Sequence, residues 1–296
     1  MTKTPRSIVE QVALLRERGL PLAGPDEHRA TRLLVDHNYY RLSGYWRYFQ
    51  EAPHLGDNRF TATAALDEIE AVYEFDAILR SILLEGLAQF EVTFRSRFAY
   101  YLAMEQGPCT YELDTTYRSE NVSRRDGTNE DLAKAVTRDI AKDLDRSRED
   151  YVKHHRDHAL PIPVWVAVEA LSFGTVSKMY RLLADDDVRY RVSRTFGLPN
   201  PDFLDSTAHS FVVLRNICAH HGRVWNRRPE VPPKVLNPLK THGDRSIYHQ
   251  TPWAWLVMLS HLVDAIRHDD RYSTMLWRHV DASPEFHEGL QHPHRR

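Results

Sequence analysis

Residues 214–227, Leu-Arg-Asn-Ile-Cys-Ala-His-His-Gly-Arg-Val-Trp-Asn-Arg, bring Arg215, Asn216, His220, His221, Arg223, Asn226 and Arg227 together in one short segment. Imidazoles titrate near neutrality, and guanidinium groups keep their charge and fork onto anionic oxygens. The residue types therefore suit proton transfer beside a bound anion. Phe211, Leu214 and Cys218 recur at i, i+3 and i+7, a spacing that predicts a helix anchored along that stripe. At ~100° per residue, Asn216 and His220 share a face one turn apart, while Arg215 points about 140° away from His220. His221 lies at i+7 from Leu214 and is expected to rotate toward the buried stripe in a structural role.

Helical spacing dominates the elements that must hold this segment. Ile8, Val12 and Leu15 predict a first short helix ending at Gly19, and Asp26 is the expected N-cap of a second carrying Leu33, Leu34 and His37. From Thr63 to Tyr101 the apolar residues keep a helical period for about 40 residues, as one long helix or two stacked ones, until Pro108 ends it. Residues 112–130 are polar and read as a surface loop. Leu132, Val136, Ile140 and Leu144 form a narrow stripe on a surface helix. The run from Val164 to Leu171 is expected to stop at Phe173-Gly174 with Gly174 just past the helix end, and a helix pair follows over 175–196. Asp185, Asp186 and Asp187 suit a helix N-terminus. Pro201 opens the motif helix, the prolines from Pro229 to Pro238 mark an irregular connection, and Thr251-Pro252 opens a last strong helix to Arg267. The tail from Asp281 to Arg296 is expected to be loose. No strand alternation and no internal repeat emerge.

Composition narrows the classes. A chain of 296 residues with 42% hydrophobic content can build a substantial core, and a formal net charge of -2 means that any polyanion binding must come from a local patch. Cys109 and Cys218 give no disulfide framework, residues 1–7 lack the apolar run that a signal peptide needs, and no stretch approaches the ~18–20 apolar residues of a membrane span. A cytoplasmic protein without membrane contact is expected. Cys218, His220 and His221 lack zinc-ligand spacing, and the 17 histidines are scattered, so neither a metal nor a cofactor is expected. Gly-rich phosphate loops and Gly-x-Ser-x-Gly elbows are absent.

Four blocks carry a family resemblance: Asn38-Tyr39-Tyr40-Arg41-Leu42-Ser43-Gly44-Tyr45; Phe90-Glu91-Val92-Thr93-Phe94-Arg95-Ser96-Arg97; Pro163-Val164-Trp165 with Glu169-Ala170-Leu171-Ser172-Phe173-Gly174; and Arg215-Asn216-Ile217-Cys218-Ala219-His220-His221 running into Trp225-Asn226-Arg227. Together they resemble the abortive-infection (Abi-type) family of phage-defence proteins, within the wider HEPN group of helical RNA-handling domains. The last block fits the Arg-x4-6-His pattern of that group through either histidine.

The resemblance implies an all-α, HEPN-like helical bundle, with residues 1–60 as an N-terminal helical accessory element. Residues 61–228 would be the core carrying the motif, and residues 229–296 a C-terminal loop, helices and loose tail packed on it. It implies a metal-independent endoribonuclease in which the RNA's own 2′-hydroxyl attacks, with His220 taking the proton, Arg215 holding the phosphate charge and Asn216 orienting either. A homodimer would bring one protomer's arginine to the other's histidine. His221, Glu91 and Arg95 are candidate supports, the last two also reading as an ordinary i, i+4 ion pair. Tyr39, Tyr40, Arg41 and Tyr45, with Arg223 and Arg227, form a candidate RNA-stacking platform, or else core with its polar tips satisfied. The RNA could be host, phage or a cognate non-coding RNA. The competing reading is a non-catalytic RNA-binding protein regulated by a structured RNA.

Overall fold

The structure, a computed structural model, describes residues 4–123 and 129–293. The protein is all-α, with two small hairpins. In chain order the elements are α1 Ile8–Glu17, α2 Pro25–His37, α3 Tyr39–Trp46, β1 Gln50–Ala52, β2 Asp57–Phe60, α4 Leu66–Gln106, β3 Asn121–Ser123, β4 Asn129–Asp131, α5 Leu132–Arg146, α6 Asp150–Asp157, α7 Val164–Ala170, α8 Phe173–Leu182, α9 Asp186–Thr195, α10 Pro201–Ala219, α11 Pro252–Arg267, α12 Arg271–Val280 and α13 Pro284–Gln291.

The long apolar period of the sequence folds as one uninterrupted helix. α4 has 41 residues, roughly 60 Å of rod at 1.5 Å per residue. Leu79, Leu83, Leu87, Phe90, Phe94, Phe98 and Leu102 are fully buried along it. Helices α7, α9, α10, α11 and α12 all pack against this axis. Phe90, Phe94 and Phe98 stack in succession at 5.9 and 6.1 Å between ring centroids. The motif helix α10 docks through Phe211, whose ring meets Phe90 edge-on at 4.9 Å and 85°. Burying each such ring stabilises the fold by roughly 1.5–3 kcal/mol, so α10 is held on α4 from its apolar side.

Several local expectations are corrected. β1 pairs antiparallel with β2 (Gln50 opposite Phe60, Ala52 opposite Asp57), and β3 with β4 (Val122 opposite Glu130). These strands are too short to carry a readable alternation. The 112–130 stretch thus contains a 3₁₀ turn at Asp114–Thr116 and most of a strand pair, while its residues 124–128 lie outside the described residues. Gly174 does not end a helix: α7 stops at Ala170, Ser172 caps a new helix through the amide of Thr175 at 3.1 Å, and Gly174 sits in its first turn. The cap of α2 is Gly24, with Pro25 and Asp26 inside the first turn.

The C-terminal tail is not loose between Pro284 and Gln291. Ser283 caps α13, and Phe286 and Leu290 are fully buried; residues 294–296 lie outside the described residues. Among the described residues no helix is long and apolar enough to cross a membrane.

Candidate functional site

Helix α10 ends in a Schellman turn at the two histidines. The amide of His221 donates to the carbonyl of Cys218 at 3.0 Å, and that of Gly222 to Ile217 at 2.7 Å, the paired 5→2 and 6→1 bonds of that motif. His221 occupies the left-handed position, φ +55°, where glycine is usual. Both histidines are exposed. His221 therefore does not turn into the core: counting 100° per residue holds only while the helix continues, and the chain reverses before His221. Asn216 and Ala219 are exposed too, so Asn216, Ala219 and His220 form one open patch at the helix end.

Arg215 lies apart from that patch, against α4. Its Nε is 3.6 Å from Oε2 of Glu91, an ion pair too long for a hydrogen bond, and this buried Nε has no hydrogen-bond partner. The guanidinium also stands 5.8 Å from the centroid of Phe173, within cation–π range. Glu91 is shared: its Oε1 accepts from Nη2 of Arg95 at 2.5 Å. Arg95 is buried and donates from Nη1 to the carbonyls of Val168 and Leu171 (the latter at 2.7 Å), which capture the C-terminal end of α7. One carboxylate thus joins two guanidinium groups, with Arg215 leaving 31% of its side chain exposed. Glu91 and Arg95 are together more than a surface i, i+4 pair, because they tie α4, α7 and α10 at one point.

Beyond the histidines, residues 223–226 are pinned from beneath by a group that the sequence reading missed. Asp76, fully buried on α4, accepts the amides of Trp225 (2.8 Å) and Val224 (3.3 Å) and the hydroxyl of Tyr45 (2.7 Å), and pairs with Arg80. Burial, reinforced by the Asp76 charge, pushes the Tyr45 hydroxyl well above its ordinary range. Burial likewise pushes the Cys218 thiol up to about 12, an inert group. Asp76 and Arg80 stand on the apolar stripe of α4 beside Val72, Leu79 and Leu83; a charged pair on such a stripe was the available signal.

The Asn38–Tyr45 block is the other half of this support. Asn38 adopts φ +64° and caps α3 through the amide of Tyr40 at 2.9 Å. Arg41 donates to the carbonyl of His221 at 2.7 Å and to the hydroxyl of Tyr73 at 3.0 Å. A β-carbon on Gly44 would stand 3.0 Å from Nε of Arg223, so the bare backbone of α3 lets that side chain pass. Arg223 donates to the carbonyls of Trp225 (2.6 Å) and Asn226, and Arg227 to that of Arg223 at 3.1 Å. Burial lowers the pKa of Arg223.

Tyr45, at 1% exposure, offers no surface to a ligand, whereas Tyr40 at 86% is open. Tyr39 is half-buried, accepting from Arg18 at 2.7 Å and packing edge-on against Trp46. The aromatic and cationic cluster therefore divides: Arg41, Tyr45, Arg223 and Arg227 shape the loop, and Tyr40 alone among the tyrosines of the block is fully open.

The third support comes from α13. The Trp225 indole donates to the carbonyl of Phe286 at 3.0 Å, and the amide of Asn226 to that of Gly289 at 3.1 Å. Trp225 and Phe286 lie parallel, 6° apart at 6.2 Å. No sequence signal pointed to this contact. Among the described residues no group of three or more His, Cys, Asp or Glu side chains is arranged to hold a metal ion.

A family model described as Abi-like protein matches residues 32–226, from α2 to Asn226. No curated protein and no solved structure matches the chain.

Proposed function

The chain belongs to the Abi-like family of abortive-infection, phage-defence proteins, and from that premise we propose that it is a HEPN-type, metal-independent endoribonuclease. The carrying observation is the division at the end of α10: Arg215 is tethered by Glu91, while Asn216 and His220 stand exposed on the adjoining face. Two copies apposed at α10 would supply what one lacks, an arginine of one beside a histidine of the other.

In the proposed reaction the 2′-hydroxyl of the RNA gives its proton to the imidazole of His220, acting as general base. A bond forms from the 2′-oxygen to phosphorus, and the bond to the 5′-oxygen breaks. Arg215 holds the added charge on the phosphoryl oxygens. An imidazolium returns the proton to the departing 5′-oxygen, leaving a 2′,3′-cyclic phosphate. Asn216, one turn before His220, reaches the same phosphate or the imidazole.

One observation favours the second reading, an RNA-binding protein that does not cut. Among the described residues no side-chain hydrogen bond orients the imidazole of His220 within the single chain, although a general base is normally fixed by such a partner. Incubating purified protein with RNA in EDTA and mapping the ends separates the two. Cuts ending in 2′,3′-cyclic phosphates, lost in His220→Ala with the melting temperature unchanged, are expected; tight binding without cuts would establish the second reading instead. A protein that stays monomeric at micromolar concentration, with or without RNA, would rule out the shared site.

A further inference from the structure

A cleft of about 600 Å³ opens between α11, α12 and the proline-rich chain that precedes α11. It lies wholly outside the residues 32–226 that the family model matches, and no residue of the α10 motif lines it. One face of α11 contributes Trp253, Val257, His261 and Asp264, at i, i+4, i+8 and i+11. α12 contributes Trp277, and the preceding chain the buried ring of Tyr248. Trp253 and Trp277 are half-buried and stand 4.8 Å apart at 51°, so their rings form a wedge.

Among the described residues neither lysine nor arginine lines the cleft; its carboxylates are Asp264 and Asp281, and its imidazoles are His242 and His261. Asp281 is engaged by His287 at 3.0 Å. Asp264 accepts only the amide of Ser273, at 3.1 Å on Oδ1. Its Oδ2 has no hydrogen-bond partner among the described residues, and Oδ1 keeps a second lone pair. Burial lowers the pKa of His261 although the nearby Asp264 opposes the shift.

We propose that this cleft binds an aromatic heterocycle of nucleoside size, carrying adjacent N–H donors on one edge as guanine does, and with no phosphate attached. The partly exposed indoles can stack on a planar base, and a carboxylate accepts two parallel N–H bonds from a guanine-type edge. A phosphate would meet two carboxylates and, among the described residues, no lysine or arginine. The volume lies within the ~300–1,000 Å³ that encloses a small organic molecule, and a lone arginine side chain would leave most of it empty. The site is independent of RNA cleavage, so it stands or falls separately from the reading of the α10 motif.

Calorimetric titration of the full chain with guanosine, adenosine, guanosine 5′-monophosphate and N-acetylarginine amide tests it. Guanosine should bind, at least tenfold more tightly than adenosine or the monophosphate. Asp264→Asn should weaken guanosine at least tenfold, the scale of a lost bidentate contact, with an unchanged melting temperature. Trp277→Leu provides a second variant that leaves the carboxylate in place, and it too should weaken guanosine. Absence of guanosine binding at millimolar concentration, equal binding by the Asp264→Asn protein, equal or tighter binding of the monophosphate, or preference for the arginine amide would each overturn the proposal.

Discussion

Asp76 receives the amide of Trp225 at 2.8 Å although 149 residues separate them in the chain. The candidate site is thus closed from below by a carboxylate of the central helix, and that carboxylate's charge is balanced by Arg80 one turn away.

Replacing Asp76 by alanine removes that balance and leaves the buried Arg80 unpaired. Breaking a buried ion pair from one side costs about 3–5 kcal/mol. Urea denaturation of Asp76→Ala should show a loss of that size. Tyr45→Phe, which removes one hydroxyl donated to Asp76, should cost only ~1 kcal/mol. Equal losses in the two variants would contradict the central place of the carboxylate.

At Gly289 a β-carbon would stand 2.3 Å from the Trp225 indole nitrogen. Gly289→Ala must therefore displace Trp225 or α13, and overpacking of this kind typically costs ~1–3 kcal/mol. The same substitution at Gly243, where a β-carbon meets nothing within 4 Å, should be close to neutral. Denaturation midpoints of the two variants make the comparison.

His221 holds a left-handed backbone conformation, φ +55°, that costs an L-residue with a side chain roughly 1–2 kcal/mol. His221→Gly should raise stability by about 0.5–1 kcal/mol after the greater freedom of the unfolded chain is set against that relief. If the protein cuts RNA through His220, this variant should keep cutting, whereas His220→Ala should not. A His221→Gly protein that is folded but inactive would shift the base to His221.

Asp143 links α5 to the start of α8, accepting from Thr175 at 2.6 Å and from the amide of Ser172 at 3.0 Å. Burial raises its pKa, but the bonds from Thr175, Ser172 and Arg146 together outweigh burial and hold it below the usual aspartate range. A carboxyl depressed in the folded state contributes stability in full above its unfolded pKa, and that contribution is lost as pH falls through the folded value. The stability gap between the native protein and Asp143→Asn should therefore be constant from pH 7 to about pH 5 and shrink below about pH 4. Denaturant titrations at pH 6 and pH 3 would measure it, and a gap that grows in acid would reverse the assignment.

Glu91 neutralises two guanidinium groups. Glu91→Gln should cost about 1–3 kcal/mol through the half-buried charges left behind. It should also free Arg215 from its tether, so any RNA cleavage should fall through kcat more than through KM. Unchanged kcat with normal stability would remove Glu91 from the positioning of Arg215.

What was legible in the sequence followed the rules of local periodicity. The apolar period from Leu66 to Tyr101 marked α4, although Ile78, counted in it, is exposed and its neighbour Leu79 is buried instead, and Phe211, Leu214 and Cys218 marked the buried side of α10. Two failures have physical causes. Leu171 and Ser172 serve as the end of one helix and the start of the next, so Gly174 resembled a terminus while lying inside a first turn. At His221, Gly222 signalled that the helix was over, because its amide is the one that closes the Schellman turn, yet the angular projection ran one residue too far. The bonds from Arg41 to His221, from Trp225 to Asp76 and from Trp225 to Phe286 span 61 to 180 residues, and no periodicity carries such pairings. The charges of Asp76 and Arg80 on an apolar stripe announced that a partner existed without saying which.

The tie between Trp225 and Phe286 also orders events in time. The two residues are 61 positions apart, so a chain leaving the ribosome exposes the motif segment well before the helix that secures it. Folding during synthesis proceeds from the N-terminal side, and Arg41, Tyr45 and Asp76 can receive the segment early. The indole and the Asn226 amide, however, acquire their last partners only after Gly289 has been added. A protein whose proposed task is to destroy RNA would in this way carry an unfinished cutting edge until α13 has been made.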